Sequence, residues 1–349
     1  MSKRKYIFIS NGYKGGATRF INDHLNYVSN LNKDTILIDD DPNKTFDEIP
    51  KKTIVKKIKI NHFSFNAEKK LEKLVLKYDC EKFFFLTNYA FFIRYFFLIN
   101  KLKKNQIKLI LTIHSGLTRL KIKNLLAGFL FSLFYYKIDY LYFGSNSAKN
   151  WWLKFYPWMR IKKNMVHYNG VNLQKKIKPR RIKKNISISF AGRLEKENNP
   201  EFFLRIANKY FEDNNNATFN IYGEGTLKNY LKSKSKNKNI KFHGWIEKKK
   251  IFKDSDIIMI TSPINNYPYV ALEAKSFGIP VISCSKGDIS KIIKNKIDGF
   301  IKHTNSTSKM VDLIYKITKN YYRFSKNCIN RSGHYNLNIA CKKFWKRIK

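Results

Sequence analysis

Hydrophobic positions along this chain fall into short, near-continuous runs, separated by longer stretches with helix-like spacing. Continuous apolar runs of four to eight residues predict strands buried on both faces of a parallel sheet, with helices covering it. In the first half the predicted strands are Tyr6–Ser10, Thr35–Ile38, Ile54–Ile60, Phe83–Thr87, Ile107–His114, Tyr140–Gly144 and Met165–Tyr168. Residues 174–185, with KKIKPRRIKK at their heart, hold few apolar residues and a proline, and read as a linker. The pattern then restarts, with strands expected at Ile186–Ala191, Ala217–Tyr222, Ile240–His243, Ile257–Thr261 and Val281–Cys284. Helices are expected between these strands and after Thr307. The outcome is two α/β domains, residues 1–173 and 186–330, followed by a helical segment 331–349. A length of 349 residues suffices for two cores. Doubly wound sheets of this kind bind ligands at the carboxyl ends of their strands.

Two stretches of the second domain carry most of the candidate chemistry. Phe190–Pro200 reads FAGRLEKENNP: a β-prone run broken by Gly192–Arg193, with Pro200 where a helix starts. Asn265–Ser283 reads NNYPYVALEAKSFGIPVIS: a loop bounded by Pro263 and Pro268, a helix over Tyr269–Phe277, a stop at Gly278, then a strand. Helix N-termini present free N–H groups and the positive end of a dipole, so the backbone of Val270, Ala271 and Leu272 suits phosphate. Arg193 offers a permanently charged guanidinium that binds two phosphate oxygens at once. Glu273 offers a carboxylate for vicinal sugar hydroxyls. Together these suit a nucleotide-sugar.

These residues resemble the C-terminal half of retaining glycosyltransferases of the GT-B fold, the family-4 type also called glycosyl transferases group 1. The family's G-R-L-x-x-x-K-N-P is matched at Gly192, Arg193, Leu194, Asn199 and Pro200. Its E-x7-E-A-x-x-x-G-x-P-V-I is matched at Glu273, Ala274, Gly278, Pro280, Val281 and Ile282. The family lysine is Asn198 here, with Lys196 nearby, and the first glutamate is Asn265. The resemblance implies an α/β GT-B architecture, two doubly wound Rossmann-like domains facing each other across a cleft, with the last helix returning to the first domain. It gives Glu273 the ribose hydroxyls, Arg193 the departing diphosphate, and Asn265 a place toward the donor sugar. Gly15 and Gly16, in NGYKGGATRF after the first strand, resemble the family's G-G-A-x-R loop; Thr18 replaces its usual glutamate. His114, closing LILTIH, matches a histidine set against the donor sugar, with a structural histidine as the competing reading. Gly223, in Gly-Glu-Gly225, resembles the family's turn near the nucleotide base; FGSNSAKN and HYNGVN resemble later landmarks of the first domain. The implied activity is metal-independent transfer of a sugar, with retention, from a nucleotide diphosphate-sugar to a hydroxyl of a glycan or lipid-linked acceptor in envelope polysaccharide synthesis, without a cofactor. A catalytically degenerate paralogue, binding nucleotide-sugar or a partner without turnover, stays open because of Asn198 and Asn265.

Composition adds a charge question. Lys and Arg total 69 against 25 Asp and Glu, a formal net charge of +44. Such an excess predicts attraction to polyanions, whether an anionic membrane surface, nucleic acid or charged glycans, although an A/T-rich genome also enriches Lys, Asn, Ile, Phe and Tyr. No stacking or groove-reading module accompanies it, so a specific nucleic-acid partner is not expected. Four scattered cysteines, Cys80, Cys284, Cys328 and Cys341, exclude a disulfide framework or a C-x-x-C zinc site. The N-terminal apolar run, Tyr6–Ile9, is that of a strand, not of a signal peptide. Tyr89–Ile99, interrupted by Arg94, and Leu125–Tyr136 fall short of the roughly 20 residues a spanning helix needs and read first as buried core helices of a soluble domain. Their aromatics and neighbouring lysines would also suit an interfacial contact. The expected location is cytoplasmic, peripheral on the inner membrane face. Two D-x-D spacings, Asp39–Asp41 and Asp254–Asp256, lack the context of a divalent-metal site, and no metal is expected.

Overall fold

The structure, a computed structural model, describes residues 5–10, 15–42, 48–60, 64–78, 83–86, 89–114, 122–161, 164–174, 176–182, 185–213 and 216–348. The sequence landmarks Asn11–Lys14 and Cys80 lie outside the described residues. The chain divides into two compact units, Met1–Asn169 with Asn338–Lys349, and Gly170–Leu337.

The first unit is built on a sheet of β1 (Tyr6–Ile9), β2 (Thr35–Asp39), β3 (Ile54–Lys57), β4 (Phe83–Leu86), β5 (Lys108–Ile113), β6 (Tyr140–Phe143) and β7 (Asn164–Val166). All pairings are parallel, in the order β3-β2-β1-β4-β5-β6-β7. The strands lack polar alternation because both faces are covered. Ile7 and Ile9 enter one apolar cluster, and Phe8 between them enters another with Phe20, Leu37, Ile110 and Phe344. Phe344 lies on the helix Leu337–Lys346, within 4.4 Å of the Tyr142 ring centre and 4.8 Å of His167. The end of the chain thus completes the core of the first unit.

The second unit holds β8 (Ile186–Ala191), β9 (Ala217–Tyr222), β10 (Ile240–Gly244), β11 (Ile257–Ile260), β12 (Val281–Ser283) and β13 (Gly299–Ile301). Their order is β10-β9-β8-β11-β12-β13, again parallel. The three-residue β13 has no counterpart in the sequence-based strand assignment, being too short to generate a periodicity. β3 stops at Lys57 and not at Ile60, because Ile60 N–H leaves the ladder to bond Asp40 Oδ1 at 2.7 Å. Asp39, fully buried, accepts the Asp41 N–H at 2.8 Å, so this acidic run braces a turn. The basic segment expected as a linker packs on the second unit: Arg180 Nη1 donates to Phe252 O and Ser255 O, and Nη2 to Lys253 O. Among the described residues, no helix is long and apolar enough to cross a membrane.

Candidate functional site

β8 and β11 are neighbours, yet β8 leads to β9 on one side and β11 leads to β12 on the other. The connections diverge there, opening a crevice at the carboxyl ends of the two strands. Arg193 follows β8, and Asn265 with the helix Tyr269–Ser276 follows β11, so the two loops singled out in the sequence flank this switch point.

The first loop is braced from below. Gly192 N–H donates to Tyr222 O and Leu194 N–H to Glu224 O, at 3.0 and 2.8 Å. Gly223 holds φ at +132°, and a Cβ there would overlap the Gly192 carbonyl oxygen. Gly225, at φ +158°, lies against Leu194 O, where a Cβ would come within 2.5 Å. Only glycine allows β9 to run on this close beneath the loop. Asn198 Nδ2 donates to Arg193 O at 2.8 Å, and Asn198 O accepts from Thr261 Oγ1 at 3.1 Å. The residue at which the chain departs from the family lysine therefore ties the arginine loop to the end of β11. Asn199 takes φ +49°, the left-handed turn that lets the helix Pro200–Asp213 begin. Arg193 itself is exposed and pairs with Glu197 at 3.1 Å; Lys196 is exposed on the same loop. An exposed pair of this kind is worth at most about 1 kcal/mol, so a diphosphate can take the guanidinium from Glu197.

On the second loop Asn265 is half-buried. Its N–H donates to Lys286 O at 2.9 Å and its Nδ2 to Ser262 Oγ at 3.1 Å. Gly287, at φ +106°, lets the loop after β12 approach, since a Cβ there would sit 2.5 Å from Asn265 O. Tyr267 holds φ at +141°, a region that side chains rarely occupy and that costs of order 1–3 kcal/mol. Backbone strain thus sits directly before the helix that carries Glu273.

That helix starts at Tyr269, with no acidic residue in its first turn and no side-chain cap. Its N-terminal end keeps its partial positive charge. Ala271 and Leu272 are buried and their N–H groups donate to Pro268 O at 3.2 and 3.4 Å, so these two amides, expected to face phosphate, are taken up within the helix start instead; Val270 is half-buried. Glu273 is half-buried in the second turn. Two residues on, fully buried Lys275 donates to Asp298 Oδ2, whose other oxygen accepts Lys294 N–H at 2.8 Å. Arg331 Nε stands 2.8 Å from the same carboxylate. This charged anchor was not foreseen; its only signal was Lys275 standing among apolar residues, with Ala274 before it and Phe277 after.

The remaining candidates belong to the first unit. Gly15 is the exposed, extended cap of the helix Gly16–Asn30, and nothing lies within 4 Å of where its Cβ would be. His114 follows β5 and bonds Thr112 Oγ1 through Nε2 at 3.2 Å. Its ring meets Phe20 at 4.6 Å, one turn along the helix that Gly16 opens. Gly144 presses on it, since a Cβ there would stand 2.8 Å from Nδ1. Burial pushes the His114 pKa down to about 4 and that of His167 to about 3. His24, edge-on to His167 with ring centres 5.4 Å apart, is held well below its ordinary value by burial and by its two histidine neighbours. The histidine is neutral at physiological pH and is part of an aromatic cluster that sequence reading did not reveal.

Comparison with known proteins agrees with this fold. Residues 172–334 match the family described as glycosyl transferases group 1. The UDP-Gal:alpha-D-GlcNAc-diphosphoundecaprenol alpha-1,3-galactosyltransferase of Escherichia coli is 31% identical over 185 aligned positions, covering 47% of this chain and 48% of that protein. The chain spans about half the length of the curated relatives it matches. Over the whole chain, Anabaena HepE in complex with UDP-glucose superposes with a TM-score of 0.77 at 11% identity, covering 98% of both chains. The apo form of the lipopolysaccharide outer core galactosyltransferase WaaB gives 0.70 at 17% identity, covering 97% of this chain and 98% of that one. The fold is that of GT-B glycosyltransferases, and residues 172–334, a little under half of the chain, match the glycosyl transferases group 1 family.

Proposed function

We propose that this chain transfers a glycosyl unit from a nucleotide diphosphate-sugar to a hydroxyl of a glycan or lipid-linked acceptor, in envelope polysaccharide synthesis, with retention and without a metal. The observation that carries this is the pair of loops at the β8/β11 switch point, one bearing Arg193 and the other Glu273. The Arg193 guanidinium and the Val270 end of the helix hold the diphosphate and stabilise the charge that develops as it leaves. Lys196 adds a second cation on the same loop. Glu273 accepts the vicinal ribose hydroxyls, and Gly223 keeps side chains away from the turn under the base. Asn265 meets the donor sugar as an amide without charge. His114, neutral, offers a hydrogen bond to the sugar, and Gly15 and Gly16 leave room for backbone approach by donor phosphate or acceptor. The departing phosphate takes the acceptor proton, which accounts for retention without a second carboxylate. Support for a lipid-linked acceptor comes from the Escherichia coli relative, which acts on a diphosphoundecaprenol substrate. Work at the inner, anionic membrane face follows from such an acceptor and from the charge of +44.

The test is release of nucleoside diphosphate from a panel of UDP-, GDP- and ADP-sugars with lipid-linked acceptors, alongside calorimetric binding. Glu273→Ala should lower donor affinity tenfold to a hundredfold, in keeping with loss of about 1.5–3 kcal/mol from hydrogen bonds to a charged group. Turnover unchanged by this substitution would remove the reading. A second reading, binding without turnover, is favoured by Asn265 where the family has a glutamate; donor affinity with no product from any acceptor would select it.

A further inference from the structure

The helix Ile122–Phe134 breaks the usual rule for surface helices. One side is sealed into the first unit. Gly128 lies against Tyr156, where a Cβ would meet its hydroxyl at 2.5 Å, and that hydroxyl donates to Leu125 O at 2.9 Å. Phe131 is fully buried between Phe92 and Trp152, 5.3 and 5.8 Å away. On the other side a soluble protein places charged or polar residues. Here Ile122, Leu126, Phe129, Leu130 and Leu133 are between 43% and 76% exposed. Their steps of three and four place them in one stripe, a contiguous apolar ridge of the kind that marks an interaction surface.

The rim of this ridge decides its partner. Trp158 faces Phe129 at 6.0 Å and donates Nε1–H to Ser132 O at 3.1 Å. Lys149 and Lys154 line a hollow with Pro157, beside Trp158. At the other end, the Lys137 ammonium lies 5.5 Å from the Tyr136 ring and 5.6 Å from Phe96. A lysine over aromatic rings at the margin of an apolar stripe, as Lys137 is, can lay its stem on lipid and its charge among headgroups. Acidic residues are also missing from this part of the chain. Between Glu81 and Glu195 the sequence has one, Asp139, where the chain's own frequency of 25 in 349 would give about eight. Both oxygens of Asp139 are held by Lys103 at 2.8 Å. A general compositional drift toward lysine does not explain why this stretch has a single carboxylate while they are common elsewhere.

We propose that the ridge Ile122–Leu133 inserts into the headgroup region of an anionic bilayer, with Lys137, Lys149 and Lys154 set against acidic lipid. This deepens the membrane part of the reading above by naming the surface that makes the contact. A second copy of a +44 chain would bring like charges together, and nucleic acid offers no apolar partner for the ridge.

The experiment is co-sedimentation of the full chain with sucrose-loaded vesicles of phosphatidylcholine, alone or with about a third phosphatidylglycerol. The double variant Leu126→Ser/Leu130→Ser should weaken partitioning onto the acidic vesicles about tenfold or more, as expected for losing two apolar side chains from lipid. Phe65→Ser/Leu76→Ser, which removes exposed apolar residues elsewhere in the same unit, should leave partitioning unchanged. Far-UV dichroism and urea midpoints of both variants establish that they are folded. Equal partitioning by wild type and the ridge variant, loss with both double variants alike, or complete release of wild type by 0.5 M salt would each overturn the proposal. A dimer that the ridge variant dissociates, with no vesicle binding, would assign the ridge to self-association instead. Donor titration in the same samples keeps the two readings apart: vesicle binding without donor binding defeats the transferase reading alone, and the reverse defeats this surface alone.

Discussion

The buried Lys275–Asp298 pair behind Glu273, with half-buried Arg331 beside it, gives the sharpest quantitative expectation. Lys275 and Asp298 are both fully buried; Asp298 accepts from Lys275 and from Lys294 N–H, and its carboxylate is ion-paired with Arg331. Asp298→Asn keeps the volume and removes the charge, leaving the Lys275 ammonium in the interior without its counter-ion. Stranding one member of a buried pair costs about 3–5 kcal/mol. Lys275→Met is different, because Asp298 keeps Arg331 at 2.8 Å and Lys294 N–H at 2.8 Å, and an apolar chain fills the lysine's path. Its cost should stay within about 1–2 kcal/mol. For a unit the size of Gly170–Leu337 each kcal/mol moves the melting point by roughly 2–4 °C, so Asp298→Asn should lower it by roughly 6–20 °C. Calorimetric scans, with the two units resolved as separate transitions, provide the measurement. Nucleotide affinity measured well below the transition should fall as well, since Lys275 lies two residues from Glu273 on the same helix. A loss under about 1 kcal/mol for Asp298→Asn, or equal losses for the two variants, would refute the view that this carboxylate is what anchors the donor helix.

Arg193→Lys should weaken donor binding tenfold to a hundredfold by calorimetry, because an ammonium cannot make the two parallel bonds of a guanidinium to a diphosphate. The same change should shift stability by less than about 0.5 kcal/mol, the pair with Glu197 being exposed. Gly223→Ala, at φ +132° and against Gly192 O, should lower the urea midpoint of the second unit, and a neutral outcome would mean that β9 does not crowd the arginine loop. The first unit should lose stability in acid. His114, His167 and His24 all have folded pKa values depressed below about 6.5, so the unfolded chain binds more protons as pH falls through that value. Stability present at pH 7 is therefore lost between about 6.5 and about 4, by up to about 1.4 kcal/mol per pH unit for each histidine. Melting points that stay level between pH 7 and pH 5 would contradict this burial.

What could be read in the sequence, and what could not, follows from the range over which each feature is encoded. The β8 loop is local: Gly192, Arg193 and Pro200 lie within nine residues, and the break, the charge and the helix start are all visible in a short window. The helix of Glu273 is local too, because Pro268 precedes it and Gly278 ends it. β13 and the shortened β3 escaped because three or four residues generate no period, and because Asp40 captures Ile60 from a distance of 20 positions. The roles of the departures escaped for the same reason. In the sequence Asn198 is a missing lysine; in the fold it is the tie between Arg193 O and Thr261, two groups separated by more than sixty positions. Lys275 likewise acquires its meaning only from Asp298 and Arg331. Motifs thus placed the groups proposed to meet the ligand, while the groups that hold those in position came from contacts between distant segments. A substitution at a motif position need not report loss of function: at Asn198 the charge has gone, and a hydrogen bond that orients the neighbouring arginine's backbone has taken its place.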